Sequence, residues 1–437
     1  GAVGDCTSVL ESGTTCQPTC DQGYALSGPS VCNYGYFSSA VCNRYPQLAK
    51  LTAGDGAEYD LFGYSVSIDG DTMVIGAYMD DDKGSASGSA YVFTRVTAGD
   101  LASGWTKVAK LTAGTDGAAN DYFGYSVSID GDTVVIGAYM DDDPTNSGSA
   151  YVFTRVTAGD LASGWTKVAK LTAGTDAAAH GLFGYSVSID GDTVVIGAYP
   201  YWDDDIGSAY VFRRDTPGNL GSSWSHVVKL TAGDGAVGNR FGYSVSIDGD
   251  MMVIGAQGDD DKGPSSGSAY MFTRDTPGDP ASDWTQVEPK LTAVNDGAAD
   301  DRFGTSVSIS GDTMVIGAYL DDDMGLNSGS AYVFSKYVPP CDASSPPANG
   351  TVGDCTSVLE SGSTCQPTCD QGYAVSGPSV CENSVLSPAV CIPLCDASTP
   401  PANGAVGNCT DQLLSGTTCQ PTCDEGYIVS GKSSCDA

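Results

Sequence analysis

The chain has 437 residues and a formal net charge of −35, with 19 lysines and arginines against 54 aspartates and glutamates. So acidic a surface repels nucleic acids and anionic lipid headgroups and favours cations or basic partners, so we expect no nucleic-acid partner. No stretch approaches the roughly 20 apolar residues of a membrane span, which predicts that the chain does not insert into a bilayer.

The cysteines indicate several domains. All 16 lie between residues 6 and 42 or between 341 and 435, and 41% of the chain is apolar, which suffices for a sizeable core in between. Abundant cystine is typical of an oxidising, extracellular compartment. Zinc is disfavoured because His180 and His226 lie far from every cysteine in the sequence. The expected domains are a partial cystine module at 1–44, a large domain at 45–338, a complete cystine module at 339–392 and a partial one at 393–437.

One phrase recurs five times in the large domain. "FGYSVSIDGDTVVIGAY" begins at Phe183, and close copies begin at Phe62, Phe123, Phe241 and Phe303. A long regular period is typical of propeller or solenoid architectures. Four short segments rich in Val, Ile, Tyr, Phe and Thr, bounded by Gly, Asp, Asn or Ser, predict four antiparallel strands per copy. This is the anatomy of a propeller blade.

Asp-Gly-Asp joins the first two segments of a copy. Glycine takes the positive φ of a tight hairpin without steric cost, so we interpret Asp130-Gly131-Asp132 and its equivalents as a turn rather than a cation site. The fifth copy reads Ser310-Gly311-Asp312, a replacement that a turn tolerates better than a metal site.

The two ends of the array complement each other in sequence. The last copy stops after its third segment, at 329–337, whereas "YPQLAKLTA" at 45–53 matches the fourth segment "WTKVAKLTA", with Tyr45 in place of tryptophan. We expect this N-terminal strand to complete the last blade, close a five-bladed ring and remove two exposed sheet edges. An open solenoid, the alternative, would leave both edges bare.

These segments resemble the FG-GAP repeats of integrin α-subunit propellers and of microbial and algal surface proteins. The resemblance rests on Phe-Gly, "VVIGA" and "GSAYVF" and covers 45–337. It implies a β-propeller used for adhesion or assembly, and together with the five copies counted above we predict an all-β fold with a closed five-bladed β-propeller. The integrin-type calcium loop Asp-x-Asp-x-Asp-Gly-x-x-Asp is absent from every copy, so neither those calcium sites nor the seven-blade count is carried over.

Three consecutive aspartates follow the second segment of every copy. Blade symmetry should bring the five loops to one face, where their carboxylates repel one another unless solvated, screened or bridged by cations. Calcium prefers several hard oxygens from a flexible loop, so these residues are candidate Ca²⁺ ligands, with a solvated acidic loop as the alternative. The candidates are Asp80, Asp81, Asp82, Asp141, Asp142, Asp143, Asp203, Asp204, Asp205, Asp259, Asp260, Asp261, Asp321, Asp322 and Asp323.

The middle cystine module resembles sushi, or complement-control, modules in its Pro-Pro-x-Asn-Gly, Cys-x-x-Gly-Tyr and Gly-x-x-x-Cys motifs, although the usual tryptophan before the last cysteine is missing. Sequence alone leaves many pairings of its cysteines open. The resemblance implies Cys341–Cys381 and Cys369–Cys391, which leaves Cys355–Cys365. The outer modules would use Cys6, Cys16, Cys20, Cys42, Cys395, Cys435, Cys409 and Cys419. Cys32 and Cys423 then lack partners, which lie either in sequence beyond both ends or in neighbouring chains.

Several functions remain open at this stage. Two histidines outside any repeated context are poor material for a Ser-His-Asp site, so we expect no enzymatic activity. We expect a structural subunit of an extracellular filament, surface fibre or matrix that assembles with copies of itself, with cystine modules glycosylated at Asn349 and Asn408 as spacers. The alternative is an adhesion or carbohydrate-binding propeller, with Trp202 as a sugar-stacking residue; the periodic aromatics on the strands are better explained by packing between blades.

Overall fold

The computed structural model describes residues 2, 4–6, 10–20, 25–26, 29–33, 36–43, 48–100, 103–141, 146–199, 205–293, 297–335, 339–382, 384–410 and 412–435. These residues belong to two compact units, Gly1–Ser335 and Lys336–Ala437. The regular structure is almost entirely β, so the predicted all-β class is confirmed. In the described ranges, no helix is long and apolar enough to cross a membrane.

The N-terminal cystine module consists of short strands held by two disulfides, Cys6–Cys16 and Cys20–Cys42. One sheet has the order β1-β3-β4, and β2 pairs with β5. The strands are β1 (Thr14–Cys16), β2 (Ala25–Leu26), β3 (Ser30–Asn33), β4 (Tyr36–Ser38) and β5 (Cys42–Asn43).

Five antiparallel sheets follow, one for each copy of the repeated phrase. Sheet 1 contains β6 (Val66–Asp69), β7 (Thr72–Ala77), β8 (Ser89–Arg95) and β9 (Trp105–Leu111). Sheet 2 contains β10 (Ser126–Asp130), β11 (Thr133–Ala138), β12 (Ser149–Arg155) and β13 (Trp165–Leu171). Sheet 3 contains β14 (Phe183–Asp190), β15 (Thr193–Ala198), β16 (Ser208–Arg214) and β17 (Trp224–Leu230).

Sheets 4 and 5 repeat this order, but the last sheet has three strands among the described residues. Sheet 4 contains β18 (Phe241–Asp248), β19 (Met251–Ala256), β20 (Ser268–Arg274) and β21 (Trp284–Leu291). Sheet 5 contains β22 (Phe303–Ser310), β23 (Thr313–Ala318) and β24 (Ser330–Ser335). Single-turn 3-10 helices follow β9 and β13 in the chain, at Gly114–Asp116 and Gly174–Asp176.

The apolar core lies between consecutive sheets. Val74 and Val92 of sheet 1 pack against Phe123, Val127 and Ile129 of sheet 2, and all five side chains are buried. Alternation along each strand sends one set of side chains to the preceding sheet and the other to the next. Because both faces of an inner sheet are covered, β11 reads as a continuous apolar run rather than an alternating one.

The glycines of the repeated phrase allow close contact between sheets. Gly88 forms a parallel bridge with Phe123, and equivalent bridges join each later pair of consecutive sheets. A Cβ on Gly76 would lie 2.0 Å from the carbonyl oxygen of Gly124, a distance that no side chain tolerates. Glycine is therefore required here by the approach of the neighbouring backbone.

Closure of the ring by residues 45–53 is not detected. The described part of this segment, 48–53, forms no strand, and Leu51 and Ala53 pack on sheet 1 against Tyr91 and Phe93. Residues 45–47 and 336–338 lie outside the described part of the chain. Inner strands of consecutive sheets contact each other extensively, and no contact of that extent joins β6 and β22 among the described residues.

The second unit contains two cystine modules of short strands. Disulfides join Cys341 to Cys381, Cys355 to Cys365 and Cys369 to Cys391, and the next module contains Cys395–Cys435 and Cys409–Cys419. The strands are β25 (Gly350–Thr351), β26 (Thr364–Cys365), β27 (Thr368–Cys369), β28 (Tyr373–Val375), β29 (Ser379–Glu382), β30 (Val385–Ser387), β31 (Cys391–Cys395), β32 (Gly404–Ala405), β33 (Leu413–Leu414), β34 (Thr418–Cys419), β35 (Thr422–Cys423) and β36 (Ser433–Ser434).

Candidate functional site

Both aspartates of the Asp-Gly-Asp turn hold structure together. Gly131 sits between β10 and β11 with a φ of 52°, and its N–H donates to Oδ2 of Asp69 in the preceding sheet at 2.7 Å. The second aspartate, Asp132, accepts from Nε of Arg155 at 2.6 Å and from the N–H of Gly159 at 2.8 Å. The same contacts recur in the other four-stranded sheets, so these carboxylates stabilise the turn and the interface between neighbouring sheets.

The tryptophans that begin the fourth strands are covered by these arginines. The guanidinium carbon of Arg155 lies 4.7 Å from the centre of the Trp165 ring, and Arg214 lies 4.6 Å from that of Trp224. A guanidinium over an indole face is a favourable cation–π contact. That face is not open to a sugar ring, so packing explains these residues. Trp202, the sugar-stacking candidate, lies outside the described residues.

The aspartate triplets meet an internal cation. In sheet 1, Nζ of Lys110 on β9 lies 2.8 Å from Oδ2 of Asp80, 2.5 Å from Oδ2 of Asp82 and 3.1 Å from Oδ2 of Asp55. Asp80 is buried and also accepts from the hydroxyl of Tyr91 at 2.9 Å. The ammonium therefore occupies the place that the sequence assigned to a metal ion.

Sheet 4 repeats this arrangement. Lys290 Nζ lies 2.6 Å from Asp234, 2.9 Å from Asp259 and 2.9 Å from Asp261, each measured to Oδ2. The hydroxyl of Tyr270 donates to Oδ2 of Asp259 at 2.6 Å. In sheet 2 the described member, Asp141, accepts from Tyr151 at 2.6 Å and lies 3.2 Å from Lys170.

The middle aspartates and the remaining triplets are used differently. Asp81 and Asp260 accept backbone N–H groups of their own loops, at 2.7 Å from Ala86 and 2.7 Å from Ser265. Asp205 accepts the N–H of Ile206 at 2.6 Å. The other predicted ligands of sheets 2 and 3 lie outside the described residues: Asp142, Asp143, Asp203 and Asp204.

The electrostatics favour the charged forms of the pair. Burial alone would raise the pKa of Asp80, but hydrogen bonds from Lys110, the backbone of Asp82 and Tyr91 outweigh it and hold the net pKa below its ordinary value. Burial alone would lower the pKa of Lys110, whereas its hydrogen bonds to Asp80 and Asp82 raise the net pKa well above the usual lysine range. A calcium ion would have to displace this ammonium, so the triplets of sheets 1 and 4 do not fit a calcium site as they stand.

Sheet 5 lacks the lysine because its described part has no fourth strand. Asp321 accepts from Tyr332 at 2.6 Å and from the N–H of Asp323 at 3.0 Å, and Asp322 accepts the N–H of Asn327 at 2.5 Å. Burial first, and then the charges of the three aspartates, raise the pKa of nearby Asp301. Among the described residues of sheet 5, no lysine contacts Asp321, in contrast to Asp80, Asp141 and Asp259.

A tyrosine cluster runs across four sheets. The ring centre of Tyr125 in sheet 2 lies 4.9 Å from that of Tyr64, 4.4 Å from that of Tyr139 and 5.0 Å from that of Tyr185. Its hydroxyl donates to the hydroxyl of Tyr185 at 3.0 Å. Burial raises the pKa of Tyr125 and Tyr185 far above their ordinary value. The cluster ends at sheet 5, where Thr305 replaces tyrosine and donates to Gln257 at 2.9 Å. Sequence reasoning missed it, although tyrosine follows Phe-Gly in four of the five copies.

The cystine modules present their predicted modification positions to solvent. Asn349 and Asn408 are exposed, and Oδ1 of Asn408 accepts the N–H of Gln420 at 2.5 Å. Aspartates make the equivalent contact in the other modules, Asp5 with Gln17 and Asp354 with Gln366. The asparagine of the second sequon therefore already makes a backbone contact that aspartate makes in the other two modules. Cys32 and Cys423 are free, half-buried thiols.

The comparison with protein families agrees with the five repeated sheets. The family described as "FG-GAP repeat" matches residues 45–93, 105–153, 165–212, 224–272 and 284–334. No curated protein matches the chain significantly. Among solved structures, the chain is similar to an α-L-arabinofuranosidase from Lactobacillus brevis at 12% identity, over 66% of this chain and 95% of that one, with a TM-score of 0.35. A likeness this weak carries no argument about activity.

Proposed function

This chain belongs to the FG-GAP repeat family, and we propose that it is a non-enzymatic structural subunit of an extracellular filament, surface fibre or matrix. The observation that carries the proposal is the use made of the repeated polar residues. Asp132 pairs with Arg155 in sheet 2, and Asp80 pairs with Lys110 in sheet 1. These charged groups therefore bind one another rather than point into a shared pocket. Chemistry of this kind supports a rigid repeated body.

The cystine modules support an extracellular location. Seven disulfides lie in the terminal regions, where small modules without a large core depend on such crosslinks. In the proposed filament these modules flank each rigid array, with Asn349 and Asn408 as glycan attachment points on exposed turns. Cys32 and Cys423 would pair with cysteines of neighbouring modules or neighbouring chains.

Electron microscopy of native material tests this proposal. We expect fibres in which a compact β-array recurs at a regular interval, and mass spectrometry after cleavage by a glutamate-specific protease, which separates Asn349 from Asn408 at Glu360 and Glu382, should find glycans on the peptide that contains Asn349. Dispersed single particles at native concentration, under conditions that keep disulfides intact, would contradict a filament subunit.

Carbohydrate binding is the second candidate, favoured by exposed tyrosine rings at the two ends of the array, of which Tyr64 belongs to the tyrosine cluster. Tyr64 and Tyr319 each expose about half of the side chain, and a flat exposed ring is a suitable surface for stacking on a sugar. A glycan array with the full chain tests this function. Binding that Tyr64→Ala abolishes would support it, whereas an array without hits would leave the structural proposal alone.

A further inference from the structure

The two end sheets carry the two halves of an interface that the array forms four times. Inside the array, Val92 faces the next sheet and Ile129 faces the preceding sheet, and both are buried. At the ends, Val333 holds the position of Val92 and is 70% exposed, and Ile68 holds the position of Ile129 and is 60% exposed. Each end therefore presents an apolar sheet face of a kind that is covered everywhere else.

The hydrogen-bonding groups of this interface are also present at both ends. Between sheets 1 and 2, the Ser65 hydroxyl donates to the carbonyl oxygen of Gly124 at 2.7 Å, and the N–H of Ile129 donates to the Ser67 hydroxyl at 3.1 Å. The same two bonds occur at the three later interfaces. Sheet 5 has Ser306 and Ser308 at the donor and acceptor positions, both exposed, and sheet 1 has Gly63 and Ile68 at the matching positions.

A threonine–arginine pair gives independent support. Nη2 of Arg155 donates to the hydroxyl of Thr72 in the preceding sheet at 2.8 Å, and Arg214 and Arg274 make the same bond to Thr133 and Thr193. The interface between sheets 4 and 5 has a changed pair: Met251 replaces the threonine, and Lys336, which lies outside the described residues, replaces the arginine.

The missing fifth interface has kept both members of this pair. Thr313 of sheet 5 stands where Thr72 stands in sheet 1, and Arg95 of sheet 1 stands where Arg155 stands in sheet 2. The open ends therefore carry the same threonine and arginine that bond at the first three interfaces, whereas the fourth interface has lost its threonine, which supports a contact between the open ends.

The acidic loop of sheet 5 points to the same partner. Asp80, Asp141 and Asp259 each have a lysine from the fourth strand of their own sheet. Sheet 5 has Asp321 without such a strand, and the segment that matches a fourth strand, 48–53, carries Lys50 at the position of Lys110. Lys50 is exposed, and Leu51 and Ala53 beside it already pack on sheet 1. Sheet 1 and its preceding segment thus form one preassembled half of the interface.

We propose that a second copy of this chain binds through sheet 1 and residues 48–53 to sheet 5 of the first copy, so that the fifth interface forms between molecules. This inference deepens the proposed function and rests on it in one respect, that copies associate end to end. Four equivalent sets of contacts fix the relation between consecutive sheets, and in that relation the first and last inner strands of one copy make no contact of comparable extent in the described residues. A second copy completes the interface without altering those contacts. An interface with two different halves on one molecule generates open chains.

Complementation between two variants of the full chain tests the proposal. Val333→Asp places a charge on the sheet 5 half, and Ile68→Asp places one on the sheet 1 half; both side chains are exposed, so each copy should fold. Val156→Asp, at a residue 65% exposed but on neither half, is the matched control. Mass photometry over a concentration series measures the species present.

The expected pattern is specific to a head-to-tail contact. Wild type and the Val156 control form a concentration-dependent ladder of oligomers, each of the other two variants alone stays monomeric, and their equimolar mixture stops at the dimer. Lys50→Ala weakens association by roughly tenfold, because Asp321 loses its ammonium partner. Asp321→Asn in the same assay should give a similar loss.

Two results overturn the inference. A wild type that is monomeric at every concentration, together with a lower melting temperature of the Val333 variant, means that the fifth interface closes within one chain. Oligomers that persist in both single variants mean that copies associate elsewhere; the filament function then survives and this interface does not.

Discussion

Val152 and Val333 hold the same position of the same phrase, "GSAYVF", in sheets 2 and 5, yet the first is fully buried and the second is mostly exposed. The second and third strands pair in the same register in both sheets, so this pairing does not explain the difference. The difference comes from the neighbour: sheet 3 covers sheet 2, and nothing in the described residues covers this face of sheet 5. Sequence identity therefore fixes the strand and not its environment.

The largest expected effect comes from charging the two equivalent valines. Val152→Asp buries an unpaired carboxylate between sheets and should lower the free energy of unfolding by at least about 4 kcal/mol. Val333→Asp, measured at monomer concentration, should change it by no more than about 0.5 kcal/mol. Urea unfolding followed by tryptophan fluorescence gives both values, and equal losses would mean that this face of sheet 5 is covered within one chain.

The equivalent glycines of the second strands should differ less. A Cβ on Gly137 would lie 2.0 Å from the carbonyl oxygen of Gly184, so Gly137→Ala should cost about 2 kcal/mol through displaced backbone. Around Gly317 the nearest atom is the Ser306 hydroxyl, which can rotate away, so Gly317→Ala should cost clearly less. A larger loss for the Gly317 variant would contradict the open face.

Acid should have opposite effects on stability through the loops of sheet 1 and sheet 5. The pKa of Asp80 is lowered in the folded chain, so its stabilisation is complete above the ordinary aspartate value of about 4 and is lost as the pH falls through the lowered one. The pKa of Asp301 is raised, so that carboxylate disfavours folding at neutral pH and the penalty is relieved as the pH falls through the raised value.

Lys110→Met isolates the first contribution. The substitution should lower the free energy of unfolding by about 1 kcal/mol at pH 7. It should also reduce the further fall in that free energy below pH 4, while the pH dependence contributed by Asp301 stays the same. Urea midpoints between pH 3 and pH 7 measure both slopes. Unchanged acid sensitivity in this variant would show that the pair does not govern it.

Calcium removal should have the smallest effect. Lys110 and Lys290 already lie between the carboxylates of sheets 1 and 4, so a chelator should leave the melting temperature of wild type unchanged. The control is Lys110→Met, whose carboxylates lack the ammonium and could respond to added calcium. A clear fall for wild type in the chelator would restore the metal-ligand interpretation of the triplets.

The sequence predicted what depends on neighbours along the chain. The turn at Asp130-Gly131 depends only on two adjacent residues and on the positive φ of the glycine, so the sequence predicts it. The five copies of the phrase likewise predicted the five sheets. Sequence reasoning missed the partner of Asp80, because Lys110 follows thirty residues later on another strand and matches no ligand motif. The recurrence of a lysine before the leucine that ends the fourth strand was the available signal. The relation between sheet 1 and sheet 5 depends on the angle between neighbouring sheets, which no local pattern encodes.

The bond from Arg155 to Thr72 has a consequence for how such arrays can be rearranged. Because each arginine needs a hydroxyl in the copy before it, the copies are not interchangeable. A duplication of the second copy would produce matched joints on both sides, whereas moving the fourth copy ahead of the second would set Met251 against an arginine that needs an acceptor. Recombination should therefore lengthen this protein by repeating its early copies and leave the order of the last two intact.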